Sequence, residues 1–228
     1  MKIFKCIFLI IIVIGIALYS ENNLIVCHCD SIVKYNEIIK AYQVVLQDMD
    51  VIKKIYKENN YYTKPFAYND DDYDCFKVNF FTVIDMDGDN IPEVVLETSM
   101  IGDIIVLYYY DGIIYGYTCP YRGMLRLKKD GTFEFSSGAA DNGKGQLEFS
   151  SGKCKKIEIW REIWNNDYDF NSHTNIYTCE WYIYGQKVSE EEFDLFVNEQ
   201  YEKEDVEWHE FNEDTISEDF VIVWDNLN

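Results

Sequence analysis

Phe76-Lys77-Val78-Asn79-Phe80-Phe81-Thr82-Val83-Ile84-Asp85-Met86-Asp87-Gly88-Asp89-Asn90-Ile91-Pro92-Glu93-Val94-Val95-Leu96-Glu97-Thr98 decides how this chain is read. From Phe76 the apolar spacing leaves the helical period that precedes it, so that Phe76–Ile84 reads as a strand entering an acidic loop and Val94–Thr98 as a strand leaving it. The loop places carboxylates at relative positions 1, 3, 5 and 9, namely Asp85, Asp87, Asp89 and Glu93. A hard cation such as calcium takes about six to eight oxygens from carboxylates, backbone carbonyls and water. The spacing therefore predicts a calcium site with Asp85, Asp87, Asp89 and Glu93 as side-chain ligands and Ile91 as a carbonyl ligand. Gly88 and Asn90 permit the sharp turn, and Pro92 stiffens the exit. Packing four carboxylates this closely is costly without a cation, since like charges repel at short range. The empty acidic turn and a different divalent ion are the alternatives.

Downstream of the loop the pattern stays β. Ile104–Tyr110, the turn Asp111-Gly112 and Ile113–Tyr117 predict a hairpin. Leu125–Leu127, a turn at Asp130-Gly131 and Thr132–Phe135 predict another. Ser136–Gly145 reads as a longer connection, and Gln146–Phe149, Lys155–Trp164 and Thr178–Tyr184 as further strands. Upstream, Ile32, Tyr35, Ile38, Ile39, Tyr42, Val45, Leu46 and Met49 recur at three- and four-residue steps, predicting a helix over Ser31 to about Tyr56 with a break at Asp48-Met49-Asp50. Asn59–Asp74 reads as an acidic loop. Near the end, Ser189-Glu190-Glu191-Glu192 is a capping box that opens a helix running to about Lys203. The apolar run Phe220–Trp224 has no assigned type. The expected class is α+β: an N-terminal helix, an antiparallel meander sheet or incomplete barrel, and a C-terminal helix.

The loop resembles the Asp-x-Asp-x-Asp-Gly calcium loops of FG-GAP repeats, dockerins and EF-hands. The glycine stands one place after the second aspartate, with Asn90 where glycine usually sits. An EF-hand also needs a bidentate acid at relative position twelve, which here is Leu96, and it is flanked by helices rather than strands. A single copy argues against a propeller of repeats. More broadly, Ile84–Asp89 followed by Pro92–Leu96, the Tyr109-Tyr110-Asp111-Gly112 hairpin, Ser136–Ala140 and Gly185–Phe193 resemble small exported bacterial proteins. That resemblance implies secretion and a single domain, and it carries no catalytic residue.

Composition bounds the rest. The 228 residues suit one domain, residues 31–228, with enough apolar content (48%) for a sizeable core. The 19 tyrosines and 14 phenylalanines favour β structure, with cross-strand packing as their first use and glycan stacking as a second. Residues 1–20 read as a secretory signal, with Lys2 and Lys5 ahead of the fourteen-residue apolar run Cys6–Tyr19 and cleavage after Ser20. An uncleaved anchor is the alternative. Residues 21–30 are expected to be a flexible segment. Losing Lys2 and Lys5 takes the formal charge from −21 to −23. Such a surface disfavours nucleic acid and anionic membranes and suits cations and basic partners. Of seven cysteines, Cys6 leaves with the signal. The remaining six, Cys27, Cys29, Cys75, Cys119, Cys154 and Cys179, permit disulfides whose pairing the spacing does not choose.

No catalytic constellation has a diagnostic spacing. His28, His173 and His209 fit no metalloprotease pattern, and Cys27-His28-Cys29 has no second pair at finger distance. Ser136-Ser137-Gly138 lacks the nucleophile elbow, and Asp141–Gly145 lacks the ending of a phosphate loop. Arg122, Asp103 and Asp141 are candidates to line a pocket. The expected function is an exported, calcium-stabilised binding or structural module acting on a protein or glycan at the cell surface, with no membrane span after signal cleavage. The alternatives are an extracellular hydrolase of glycan or cell-wall polymer, and an inhibitor or immunity-type protein with a basic target.

Overall fold

The computed structural model describes residues 35–59, 75–100, 102–169, 172–212, 214–216 and 220. The predicted signal (1–20), the segment 21–30 with Cys27-His28-Cys29, most of the acidic loop predicted over Asn59–Asp74, and most of the Phe220–Trp224 run lie outside these residues. Residues 35–46 form helix α1, and α2 follows at Met49–Asn59. The break between them is chemical: Asp48 Oδ1 accepts the Asp50 and Val51 amides at 3.0 and 3.3 Å and so starts a new helix.

The fold is mostly β, which corrects the α+β expectation of one meander or barrel between two helices. Among the described residues, two five-stranded antiparallel sheets carry the structure. The first has the order β10-β1-β2-β3-β4, built from β1 (Val78–Ile84), β2 (Glu93–Thr98), β3 (Ile104–Tyr110), β4 (Ile113–Cys119) and β10 (His209–Glu210). The second runs β5-β6-β7-β8-β9, from β5 (Phe133–Gly138), β6 (Asp141–Ser150), β7 (Lys153–Asp169), β8 (Thr174–Ile183) and β9 (Gln186–Val188).

The division falls at Pro120. It has no amide to donate to a ladder, and a tight turn follows in which Gly123 N donates to Pro120 O at 2.6 Å. Arg122 and Arg126 then take positive φ (62° and 48°), so Leu125–Leu127 never extends. The strand predicted there shrinks to a single bridge between Leu125 and Glu134. The connection predicted over Ser136–Gly145 is instead the end of β5 and the start of β6. Its small residues have a packing reason, since a Cβ on Gly143 would sit 2.5 Å from the Phe135 ring and 2.6 Å from Trp160 O.

Packing compaction gathers Tyr42–Asn228 into one unit, with Met1–Ala41 as another. Both sheets, α2 and α3 (Glu190–Tyr201) belong to the former. Strand alternation gives the first sheet two buried faces. One carries Ile84, Val95, Ile104, Val106 and Cys119, which meet Phe133 and Leu147 of the second sheet through Met86, Met124 and Leu127. The other receives α2, where Gly116 leaves room for Ile55: a Cβ there would stand 2.1 Å from Ile55 Cγ2. Tyr56 donates to Asp103 Oδ2 at 2.6 Å, anchoring the same helix.

Helix α3 covers part of the second sheet, with Phe193 and Val197 on Trp160, Trp181 and Ile183. The predicted capping box is formed: Ser189 Oγ accepts from Glu192 N, and Glu192 Oε2 accepts from Ser189 N at 3.0 Å. The last turn of α3 has no basic residue of its own. Lys144, buried on β6, supplies that charge by donating to Gln200 O at 3.0 Å. Replacing Ser189 by Ala is expected to cost about 1 kcal/mol in urea unfolding; an unchanged midpoint would show that α3 is held by packing alone. No described helix is long and apolar enough to cross a membrane.

Candidate metal centre

The acidic loop joins β1 to β2, so its geometry is fixed at both ends by the pairing of Ile84 with Glu93. Gly88 and Asn90 take the left-handed conformation, with φ of 80° and 65°. The aspartates then fold back on the loop's own amides. Asp85 accepts from Gly88 N at 2.8 Å and from Asn90 N at 3.1 Å. Asp87 Oδ1 accepts from Asp89 N at 3.3 Å, and Asp89 Oδ1 accepts from Ile91 N at 2.7 Å. The outcome is convergence: carboxylate oxygens of Asp85, Asp87 and Asp89 all lie within 4.8 Å of one another. Each carboxylate oxygen has two lone pairs, so accepting one hydrogen bond from an amide leaves it able to hold a cation.

Glu93 takes a different place. It is the first residue of β2, and alternation puts it on the Val95 face, pointing between the sheets. Only 2% of it is exposed, and its Oε2 accepts from Met86 N at 2.8 Å. Burial pushes its carboxyl up to about 9, with Asp87, Asp89 and Asp85 adding to the rise and the Met86 amide opposing it. The converging group is thus the three aspartates, with Glu93 seated behind them. Ile91, the predicted carbonyl ligand, is partly buried and commits its N–H to Asp89. Beneath the loop, Tyr42 donates to Pro92 O at 3.1 Å and to Leu107 O at 3.4 Å. Its phenol is pushed up by burial and by Glu93.

The second sheet also holds the loop, which local spacing could not reveal. Phe149 N donates to Asp87 Oδ2 at 3.1 Å, and Gln146 Nε2 donates to Met86 O at 2.7 Å. Gly131, at φ 78°, lies flat against the Met86 backbone. The acidic loop is therefore the joint between the two sheets as well as the link between β1 and β2. All donors that converge on it are oxygens, which suits calcium or magnesium better than a soft metal.

The other sequence candidates do not converge. Asp103 receives Tyr56, Asp141 forms a bidentate pair with Arg161 at 2.8 Å, and Arg122 lies in the turn after Pro120. His173 contacts the Tyr168 hydroxyl at 3.3 Å, and His209 packs on the Phe81 ring. Cys119 is buried, and burial pushes its thiol up to about 12; burial raises the Cys154 thiol as well. Such thiols stay protonated and unreactive. A cleft of about 720 Å³ opens beside α2, lined by Lys53, Lys77, Asp214 and apolar residues that include Phe76 and Phe211. No protein-family model matches the chain, and comparison with curated proteins and with solved structures finds no match.

Proposed function

We propose that this chain is an exported binding or structural module in which Asp85, Asp87 and Asp89 hold one calcium ion that fastens the joint between the two sheets. The observation that carries the reading is the approach of three carboxylates to within 4.8 Å on a loop anchored from both sheets. Calcium relieves their repulsion, and Asp87 links the ion to the second sheet through Phe149 N. The Ile91 carbonyl and water complete the oxygen shell, and Glu93 stiffens the loop from behind. Lys2 and Lys5 ahead of an apolar run support export to the medium or the cell surface. The −21 charge supports a neutral or basic partner there, a glycan or a protein, and opposes nucleic acid.

The hydrolase reading is weaker on geometric grounds. Its general acid needs a raised carboxyl open to substrate. Glu93, whose carboxyl is raised, is buried under the loop and does not line the cleft beside α2. Millimolar calcium is expected to raise the melting temperature by roughly 5–10 °C over chelator, the effect of a ligand near 100 times its Kd on a chain of this size. Asp87→Ala removes that difference. Identical melting with calcium and with chelator would defeat the proposal.

A further inference from the structure

Strands β7 and β8 run on past the rest of their sheet. The pairing of β6 with β7 ends at Ile163, and that of β9 with β8 begins at Trp181. Beyond those points Trp164–Asp169 and Thr174–Cys179 run as a two-stranded ribbon, tied to the rest of the sheet among the described residues by the bond from Trp164 N to Ala140 O at 2.7 Å. Cross-strand partners share a face, so Trp164, Asn166 and Tyr168 stand on one side together with Cys179, Tyr177 and Asn175. This is the face that α3 covers nearer the core, at Trp160, Trp181 and Ile183. On the ribbon the rings are half-exposed or more, Trp164 at 49%, Tyr168 at 47% with its hydroxyl on His173 Nδ1, and Tyr177 at 66%.

The chemistry of this face is selective. Between Glu162 and Gln186 there is no lysine or arginine. The carboxylates of the ribbon, Asp167 and Asp169, alternate onto the opposite side, opposite Ile176 and Thr174. On this face Glu162, half-buried and held by Asn142 Nδ2 at 3.3 Å, marks the inner edge next to Trp164; outward from it three rings and two exposed primary amides form a patch without a formal charge on a chain of net charge −21. A basic polypeptide would call for carboxylates among the rings. A second copy would bring another −21 against the first.

We infer that the outer β7–β8 ribbon, through Trp164, Tyr168 and Tyr177 with Asn166 and Asn175, is a platform for an uncharged linear glycan. Trp164 and Tyr168 are four residues apart on one strand, about 13 Å, and Tyr177 stands between them on the neighbouring strand. That spread suits a short run of sugars. The rings stack on the apolar faces of the pyranoses, and the amides donate to and accept from the hydroxyls. The inference rests on the reading of the chain as a binding module but does not require calcium.

The test is affinity electrophoresis of the full chain in native gels containing hydroxyethyl cellulose, xylan, galactomannan or soluble starch, with polygalacturonate as a charged control. At least one neutral polymer is expected to retard the native chain, with polygalacturonate without effect. Trp164→Ala and Tyr177→Ala are each expected to weaken retardation about tenfold, or about 1.4 kcal/mol. Ile176→Ala, on the opposite face, leaves it unchanged. All three positions lie outside the core, and unaltered melting confirms that the variants fold. Retardation by no neutral polymer, or retardation that Trp164→Ala and Tyr177→Ala leave intact, overturns the inference. So does a native dimer in sedimentation that Trp164→Ala dissolves, because the face is then an interface between copies. A missing calcium ion shows in the melting temperature and leaves retardation in place, so the two readings fail separately.

Discussion

In calcium-free buffer the stability of this protein is expected to fall as pH rises from about 4.5 to about 9, and Glu93 is the cause. In the unfolded chain Glu93 ionises near its ordinary 4.5; in the folded chain burial holds the proton until about 9. Below 4.5 both states keep the proton and the contribution to stability is complete. Between the two values only the unfolded chain releases it, so each pH unit costs about 1.4 kcal/mol, and the total is on the order of several kcal/mol. Above 9 both states are ionised and the loss is finished. Glu93→Gln keeps an acceptor for the Met86 amide and removes the proton, so its stability should be nearly flat over this window. Calcium beside Asp85, Asp87 and Asp89 favours the ionised form of Glu93 and should flatten the native profile, protecting most at high pH. Urea unfolding at intervals from pH 5 to 9 measures this. The same slope in native and Glu93→Gln proteins would show that another group is responsible. Asp141 does not confuse the reading, because its hydrogen bond from Arg161 holds it below its ordinary value, outside the window.

Gly131→Ala should be among the most damaging single substitutions in the joint. A Cβ at this position would lie 2.2 Å from Met86 O and 2.7 Å from Met86 Cα, both backbone atoms that cannot swing aside. The residue also holds φ at 78°. Left-handed strain of about 1–2 kcal/mol adds to an overpacking cost of similar size, about 3 kcal/mol in all. Two glycines serve as controls. Gly88 has a similar φ but open space around its Cβ, so Gly88→Ala should cost only the strain. Gly138 has open space and no left-handed φ, so Gly138→Ala should be close to neutral. Because Met86 sits inside the acidic loop, Gly131→Ala should also shrink the calcium-dependent shift in melting temperature. Equal losses at Gly131 and Gly88 would mean that the turn does not press on the loop.

Much of the local structure was legible in the sequence because it depends on neighbours a few residues apart. The Asp48 break, the Asp111-Gly112 hairpin and the Ser189–Glu192 capping box are decided by side chains acting within one turn. The approach of Asp85, Asp87 and Asp89 belongs to the same class. The division into two sheets was not legible. It turns on Pro120 and on left-handed φ at two arginines, a conformation that arginine does not advertise. Gln146–Phe149 was read as a strand, but the first half of β6 was hidden in Gly143-Lys144-Gly145, where Gly143 packs under Phe135 and beside Trp160 O and Gly145 lies against Ile157 O. The length of β7 was hidden by Asn165-Asn166-Asp167, a polar run that reads as a loop and is held extended by β8 alone. The position of Glu93 was partly legible: period-two alternation from Val95 turns it inward, and ligand spacing alone does not register that. The support from Gln146, Phe149 and Gly131 comes from more than forty residues away, beyond any local pattern.

The most direct measurement of the central claim is equilibrium calcium binding, by titration calorimetry of the chelator-stripped chain and of Asp87→Asn. One ion per native chain, with binding lost or weakened at least tenfold in Asp87→Asn, is the predicted result. No calcium uptake by the native chain, or equal uptake by Asp87→Asn, would contradict it.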